Sequence, residues 1–232
     1  MPGSTVSSKL LRRRRVRFYG QFVSRGGMCF DVGANMGDRT ALFLGLGAKV
    51  VAVEPQAACA KALRERFGDR IELVQAALGA AAGEADLLVA SYHTLSSLSR
   101  EWVDEVRASG RFAEFAWDRR EHVRMTTLDA LIEEYGVPDF CKIDVEGFES
   151  EVLEGLSRPL PAISFEFTVE RIDSRLAAIE QLGRLGMTCF NFSFGESLTF
   201  ALDAWTDAEG IRRFLASPTH TPATFGDVYA TL

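Results

Sequence analysis

Between residues 28 and 76 short apolar runs alternate with amphipathic stretches, and few folds accept that rhythm. Met28 to Val32 is an apolar run closed by Gly33, and Lys49 to Val53 and Ile71 to Ala76 are two more. Between them, Thr40 to Leu46 reads as helical, and Gln56 to Phe67 places Ala60, Leu63 and Phe67 on one helical face. Strand and helix alternating at this pace predict βαβ units. The fold class expected is therefore α/β: a doubly wound, mostly parallel, Rossmann-like sheet with helices on both faces. Right-handed crossovers fix its hand.

The rhythm breaks at residues 77–126 and then returns. Ala85 to Ala90 and Glu121 to Met125 read as strands, and Ser99 to Arg107 as a helix. Inserted segments of this kind tend to lie near the ligand. Thr127 or Asp129 can cap a helix reaching Tyr135. Phe140 to Val145, Ile163 to Thr168 and Thr188 to Phe194 read as strands, Ile172 to Leu185 and Asp207 to Ala216 as helices. The last strand is either Ser197 to Leu202 or the terminal run Val228 to Leu232. Residues 1–9 are expected to fray. An amphipathic helix over about 10–24 should stop at Gly26-Gly27. The division expected is a tail and helix over 1–27, then one domain over 28–232 with an insertion at about 77–126.

Length and composition fit one soluble domain: 232 residues, 47% hydrophobic and 25% charged. A net charge of −6 argues against a general affinity for nucleic acid. The exception is Arg12 to Arg15, flanked by Lys9 and Arg17, which reads first as a solvated helix face. Cys29, Cys59, Cys141 and Cys189 show no Cys-x-x-Cys spacing, so neither zinc nor a redox pair is suggested, and reduced cysteines fit a cytoplasmic protein. There is no secretory h-region and no apolar stretch of membrane-spanning length.

The first strand ends in Asp31-Val-Gly33-Ala-Asn35-Met-Gly37. Gly33 permits a tight turn and a close ligand approach, Asn35 tolerates a left-handed backbone, and Gly37 should let the next helix pack close to the strand. Glu54 closes the second strand 21 residues after Gly33, where an acid can accept hydrogen bonds from a ribose. A dinucleotide brings a pyrophosphate, yet this rim carries Asp31, Glu54, Asp144 and Glu146. Four carboxylates suit a nucleoside with an ammonium and a sulfonium. That points to S-adenosylmethionine.

The same residues carry a family resemblance. The chain resembles the FkbM-type methyltransferases, a class I branch dependent on S-adenosylmethionine. It does so in Asp31 to Gly37 with Thr40, Val51 to Pro55, Gln75 to Gly79, Thr127 to Asp129, Lys142 to Glu149, Val152 to Gly155 and Ile163 to Glu166. The Lys142-Ile-Asp-Val-Glu-Gly147 segment is the most specific. The resemblance implies a seven-stranded sheet of the class I type. Asp31, Gly33, Asn35 and Gly37 would hold the methionine part of the cofactor and Glu54 its ribose. Gln75 and Ala76 would lie beside the adenine and Asp144 would face the reacting centre. Thr40 and Pro55 fall in the same cofactor segments. Many relatives carry Asn where Gln75 or Ala76 stands, and the first and last quarters match little.

Methyl transfer from a sulfonium needs alignment of acceptor, methyl and sulfur. A hydroxyl acceptor also benefits from a base. Asp144, Glu146 and His93 are the catalytic candidates; His122 and His220 are not. Asp144 and Glu146 alternate on one strand end and should point to opposite faces or splay at its tip. Glu166 could cap the helix that follows. A divalent cation on Asp144, Glu146 or Glu166 is chemically allowed but not favoured. The expected activity is O-methylation of a small-molecule or glycan acceptor, and a homodimer is compatible with it. N-methylation is the nearest rival. A non-catalytic binding protein and an NAD-dependent oxidoreductase stand further off, the last because Asp38-Arg39-Thr40 replaces a third glycine.

Overall fold

The computed structural model describes residues 3–110, 112, 114–168, 172–217 and 225–232. Five parallel strands form the first part of one sheet: β1 (Met28–Val32), β2 (Lys49–Val53), β3 (Glu72–Val74), β7 (Phe140–Ile143) and β8 (Ala162–Thr168). Two more complete it, β9 (Cys189–Phe194) and β10 (Phe225–Thr231). The order is β3-β2-β1-β7-β8-β10-β9, and β10 runs antiparallel to both of its neighbours. The doubly wound, mostly parallel seven-stranded sheet expected from the sequence is therefore present. Strand order reverses between β1 and β7, the place where ligands of such sheets bind. The last strand is the terminal run, inserted between β8 and β9 with Val228, Tyr229 and Ala230 buried; Ser197 to Leu202 forms no strand.

Alternation along each strand builds two cores. On one face Val32, Val51, Ile143 and Phe165 pack with α5 (Leu128–Tyr135), α6 (Glu149–Glu154), α7 (Ile172–Arg184) and α8 (Ala208–Leu215). On the other, Cys29, Val50, Ala52, Phe140 and Tyr229 pack with α1 (Gly3–Tyr19), α2 (Asp38–Leu46) and α3 (Ala57–Phe67). Helix α1 starts earlier than expected and stops at Tyr19 rather than at Gly26-Gly27. Gly20 accounts for the stop: a Cβ there would overlap the Val16 carbonyl, and Phe22 is released to stack on Phe140 and Tyr229, centroids 5.2 and 5.4 Å away. Helix α6 leaves no mark in the sequence because six residues are too short to show a helical period.

Residues 77–126 form their own layer. A three-stranded sheet, β4 (Ala77–Leu78), β6 (Trp117–Thr126) and β5 (Gly83–Ala90), carries helix α4 (Arg100–Ser109). Its apolar centre is Ala90, Leu95, Trp102, Val103, Val106 and Trp117. Among the described residues no helix is long and apolar enough to cross a membrane, and all four cysteines are free. His220 lies outside the described residues.

Candidate functional site

Three positive-φ residues turn the chain out of β1: Gly33 (φ 80°), Asn35 (φ 51°) and Gly37 (φ 82°). Gly33 is obligatory on two counts, since a side chain would be strained at that φ and its Cβ would overlap the Asp144 carbonyl oxygen. Gly37 serves a different contact from the one expected. A Cβ there would strike Leu63 and Phe67, so it admits helix α3 rather than closing α2 onto the strand.

Glu54 anchors this turn. Its side chain is 3% exposed, with Oε2 accepting from Asn35 N (2.8 Å) and Oε1 from Gln56 N (2.8 Å). Each oxygen keeps a lone pair for a ligand hydroxyl. Burial pushes the Glu54 carboxyl up to about 7, against the two backbone hydrogen bonds that favour its ionised form. Asp31 is buried beside Thr40, whose hydroxyl donates to Asp31 Oδ2 at 2.5 Å. Burial raises Asp31 as well, with Thr40 and Lys142 opposing.

The second anchor is the loop after β7. Contrary to expectation, Asp144 and Glu146 do not alternate on a strand end: β7 stops at Ile143 and Glu146 has φ 52°. The buried Glu149 carboxylate explains the turn, because its Oε1 accepts from Val145 N (3.1 Å) and Gly147 N (3.2 Å). The inserted layer clamps the same loop. Ser97 Oγ donates to the Glu146 carbonyl at 2.5 Å, and Trp102 lies against Gly147 so closely that any Cβ would overlap its indole. Glu149, Ser97 and Trp102 do not stand out in the sequence as site residues. Glu149 closes the Lys142-to-Glu149 segment that carries the family resemblance, but no role attaches to it there.

Lys142, its side chain 3% exposed, donates to Asp144 Oδ2 at 2.6 Å, while Asp144 stays 42% open to solvent. Burial would raise Asp144, but Lys142, by charge and hydrogen bond, and then Arg39 hold it below the ordinary carboxylate range. Glu146 goes the other way: burial, then the neighbouring Glu166 and Asp144, lift it well above that range. One oxygen each from Asp144, Glu146 and Glu166 lies within 4.8 Å of the others. The Lys142 ammonium already supplies positive charge there.

Between the two anchors lies a cleft whose empty space, open solvent included, is about 520 Å³. Gly33, Asn35, Glu54, Pro55, Ala76, His93, Asp144 and Glu146 line it, so eight of the sequence candidates converge. Val53, Leu78, Leu87, Leu98 and Phe148 add an apolar wall. Asp31, Gly37 and Thr40 sit behind it as support. Gln75 is exposed and accepts from Arg64 Nη2 at 3.0 Å, outside the cleft. His93 belongs to a single 3-10 turn over His93–Leu95. Its carbonyl accepts from Asn35 Nδ2 (3.3 Å) and Gln56 Nε2 (3.0 Å), and its buried Nδ1 has no partner. His122 is on the far side of β5 and β6, exposed between Asp86 and Glu84 at 3.0 Å each.

An apolar slot with a hydroxyl-accepting glutamate at one end and an ionised aspartate at the other fits a nucleoside carrying a cationic tail. No curated protein matches the chain. Among solved structures it is similar to a precorrin-6Y C5,15-methyltransferase from Geobacter metallireducens GS-15, with TM-score 0.48 and 11% identity over 93% of this chain and 86% of that one. It is similar to magnesium protoporphyrin IX methyltransferase from Synechocystis PCC 6803 with bound SAM, with TM-score 0.46 and 8% identity over 96% and 78%. Such distant likenesses carry no residue or substrate across. The model of the methyltransferase FkbM domain, by contrast, matches residues 31–216, from the aspartate of the first turn to the end of α8. The chain therefore belongs to the FkbM methyltransferases, which use S-adenosylmethionine.

Proposed function

We propose that this methyltransferase acts on a hydroxyl oxygen of a small-molecule or sugar-containing acceptor. The observation that carries the reading is the charge around Asp144. Among the described residues both cations beside it are taken, Lys142 by Asp144 and Arg39 by Glu196, while carboxylates face the open space. Acids around an amine stabilise its ammonium form, whose lone pair is blocked. The same acids leave a neutral hydroxyl nucleophilic, accept its hydrogen bond and, as the methyl passes from sulfur to oxygen, provide a carboxylate to take the proton the oxygen gives up.

S-adenosylmethionine supplies an already activated methyl group when bound. The chain's own residues bind and orient. Glu54 takes the ribose hydroxyls on its free lone pairs. Ala76, Leu78, Leu87 and Leu98 cover the base. The turn of Gly33 and Asn35 lies along the methionine part, with Asp31 and Thr40 bracing it from behind. Asp144, kept ionised by Lys142, attracts the cationic end. His93 lies beside Glu54, so its unpaired Nδ1 serves the nucleoside rather than a proton transfer. Glu146, whose carboxyl burial and the neighbouring Glu166 and Asp144 push well above the ordinary carboxylate range, stands at the rim.

Calorimetry with S-adenosylmethionine, S-adenosylhomocysteine and NAD⁺ tests the cofactor assignment. The first two should bind and the third should not; binding of NAD⁺ alone would sink it. Glu54→Ala should weaken cofactor binding at least ~10-fold, since a buried hydrogen bond to a charged group contributes about 1.5–3 kcal/mol. Unchanged affinity would remove Glu54 from the ribose site. Methyl transfer to amines but not to alcohols would replace O-methylation by N-methylation.

A further inference from the structure

A second hollow, with about 310 Å³ of empty space counting open solvent, opens beyond Asp144, at the tips of β7, β8 and β10. Arg39, Lys142, Asp144, Glu166, Phe225 and Asp227 line it. Among the described residues, Asp144 alone borders both this cavity and the cofactor cleft. An in-line displacement requires the nucleophile to approach the methyl group from the side opposite the sulfur. A molecule seated across Asp144 from the cofactor is placed to do so.

Strand register builds this cavity. Glu166 on β8 stands directly opposite Asp227 on β10, and two residues back Ser164 pairs both Lys142 and Tyr229. Opposed residues of an antiparallel pair share a face, with Cβ atoms about 5 Å apart. Two carboxylates thus stand side by side beyond Asp144. Arg39, from α2, is held by Glu196. Among the described residues Asp227 finds no side-chain hydrogen bond or ion pair, although it is half-buried. Phe225, two residues earlier on β10, is 42% exposed at the mouth.

We infer that this cavity seats the methyl acceptor, and that it selects a neutral, polyhydroxylated ring whose hydroxyls are held by Asp227 and Glu166 and whose C–H face rests on Phe225. The inference rests on the O-methyltransferase reading above and names its acceptor site. The described lining argues against the other classes. Among the described residues, an anionic acceptor would face four carboxylates, counting Glu196, with both lining cations already paired. A purely apolar one would leave Asp227 desolvated without a partner. A hydroxyl donates to a carboxylate without adding charge, and two acceptors on adjacent strands suit two hydroxyls of one ring. A flat aromatic edge beside a few polar groups is a common way to orient a small ligand.

Saturation-transfer NMR on the full chain loaded with S-adenosylhomocysteine tests this, with methyl glycosides of neutral hexoses, hexose phosphates and primary amines as probes. Neutral glycosides should give signals, and the phosphates and amines none. Asp227→Asn and Phe225→Ala should each reduce the glycoside signal at least ~5-fold while S-adenosylhomocysteine affinity, read by calorimetry, stays within ~2-fold. Phe225 is exposed, so its variant folds even if the Asp227 variant does not. Silence from every neutral glycoside, signals from phosphates or amines instead, or glycoside signals that survive Phe225→Ala would overturn the acceptor site. Failure of the native chain to bind S-adenosylhomocysteine would instead overturn the cofactor reading beneath it.

Discussion

The two halves of the sheet's C-terminal edge are built on different principles. On the β2-β1 side the cleft is held by backbone: three left-handed residues in one short segment, and a glutamate whose oxygens each accept a main-chain N–H. On the β7-β8-β10 side the cavity is held by charge, with Lys142, Arg39 and carboxylates from four separate stretches of chain. Backbone fixes a shape that one ligand must match. A balance of charges can be retuned by single substitutions. The half proposed for the cofactor should therefore be brittle and the other half adjustable.

Gly33→Ala should give the largest effect. It adds a Cβ on the Asp144 carbonyl at φ 80°, where the overlapped atoms are backbone and cannot yield as a side chain could. A loss of about 4 kcal/mol or more is expected in urea denaturation, from strain and overlap together. A loss below ~1 kcal/mol would show that the turn is as forgiving as the charged half, and the contrast would fail.

Lys142→Met probes the other side. It strips Asp144 of its partner, and breaking a buried pair costs about 3–5 kcal/mol; because Asp144 is 42% open, the low end, about 3 kcal/mol, is expected. Adding Asp144→Asn should restore most of it, since the stranded charge is then gone. If the double variant is as weak as the single one, Lys142 acts by packing and the cavity is not balanced by charge.

The same contrast explains what the sequence discloses. Asp31 to Gly37 and Glu54-Pro55 are contiguous, and their glycines and acid carry their own physical reasons, so the geometry of this turn is legible residue by residue. Strands β1 and β2 match their apolar runs end to end. Asp227 is different. It sits in a short terminal stretch, and only pairing with Glu166 across some sixty residues of chain gives it a role. The β7 loop is intermediate. Asp144 and Glu146 stand out as acids after a strand, but the turn that separates them depends on Glu149, Ser97 and Trp102. The order of the last strands is likewise a matter of long-range pairing that no local pattern reveals.

Glu54 gives the cofactor half a pH dependence. Its folded value, about 7, lies above the ordinary 4.5. The folded carboxyl therefore keeps its proton over a window in which the unfolded chain has lost it. The contribution of this group to stability is greatest below about 4.5 and declines as pH rises to about 7. The full decline is about 3 kcal/mol, because each tenfold difference in proton affinity between the folded and unfolded chain is worth about 1.4 kcal/mol. Denaturation of the ligand-free chain and of Glu54→Gln, followed from about pH 4.5 to 8, should show the native chain losing ground against the variant as pH rises. Parallel curves would mean that the two N–H donors fully offset burial.

The smallest effect separates two neighbours on the cofactor side. Gln75 and Ala76 are adjacent in the sequence, and both are candidates for the adenine end. In the fold Gln75 faces outward onto Arg64, while Ala76, fully buried, lines the cleft. Gln75→Ala should change stability by less than ~0.5 kcal/mol, as exposed substitutions do, and leave cofactor affinity within ~2-fold. Ala76→Leu pushes three carbons into the slot and should weaken the cofactor at least ~10-fold by calorimetry, since overpacking costs about 1–3 kcal/mol. A Gln75 variant that loses affinity as Ala76→Leu does would mean that the side chain swings over the base on binding, and that this edge of the cleft is less rigid than its backbone implies.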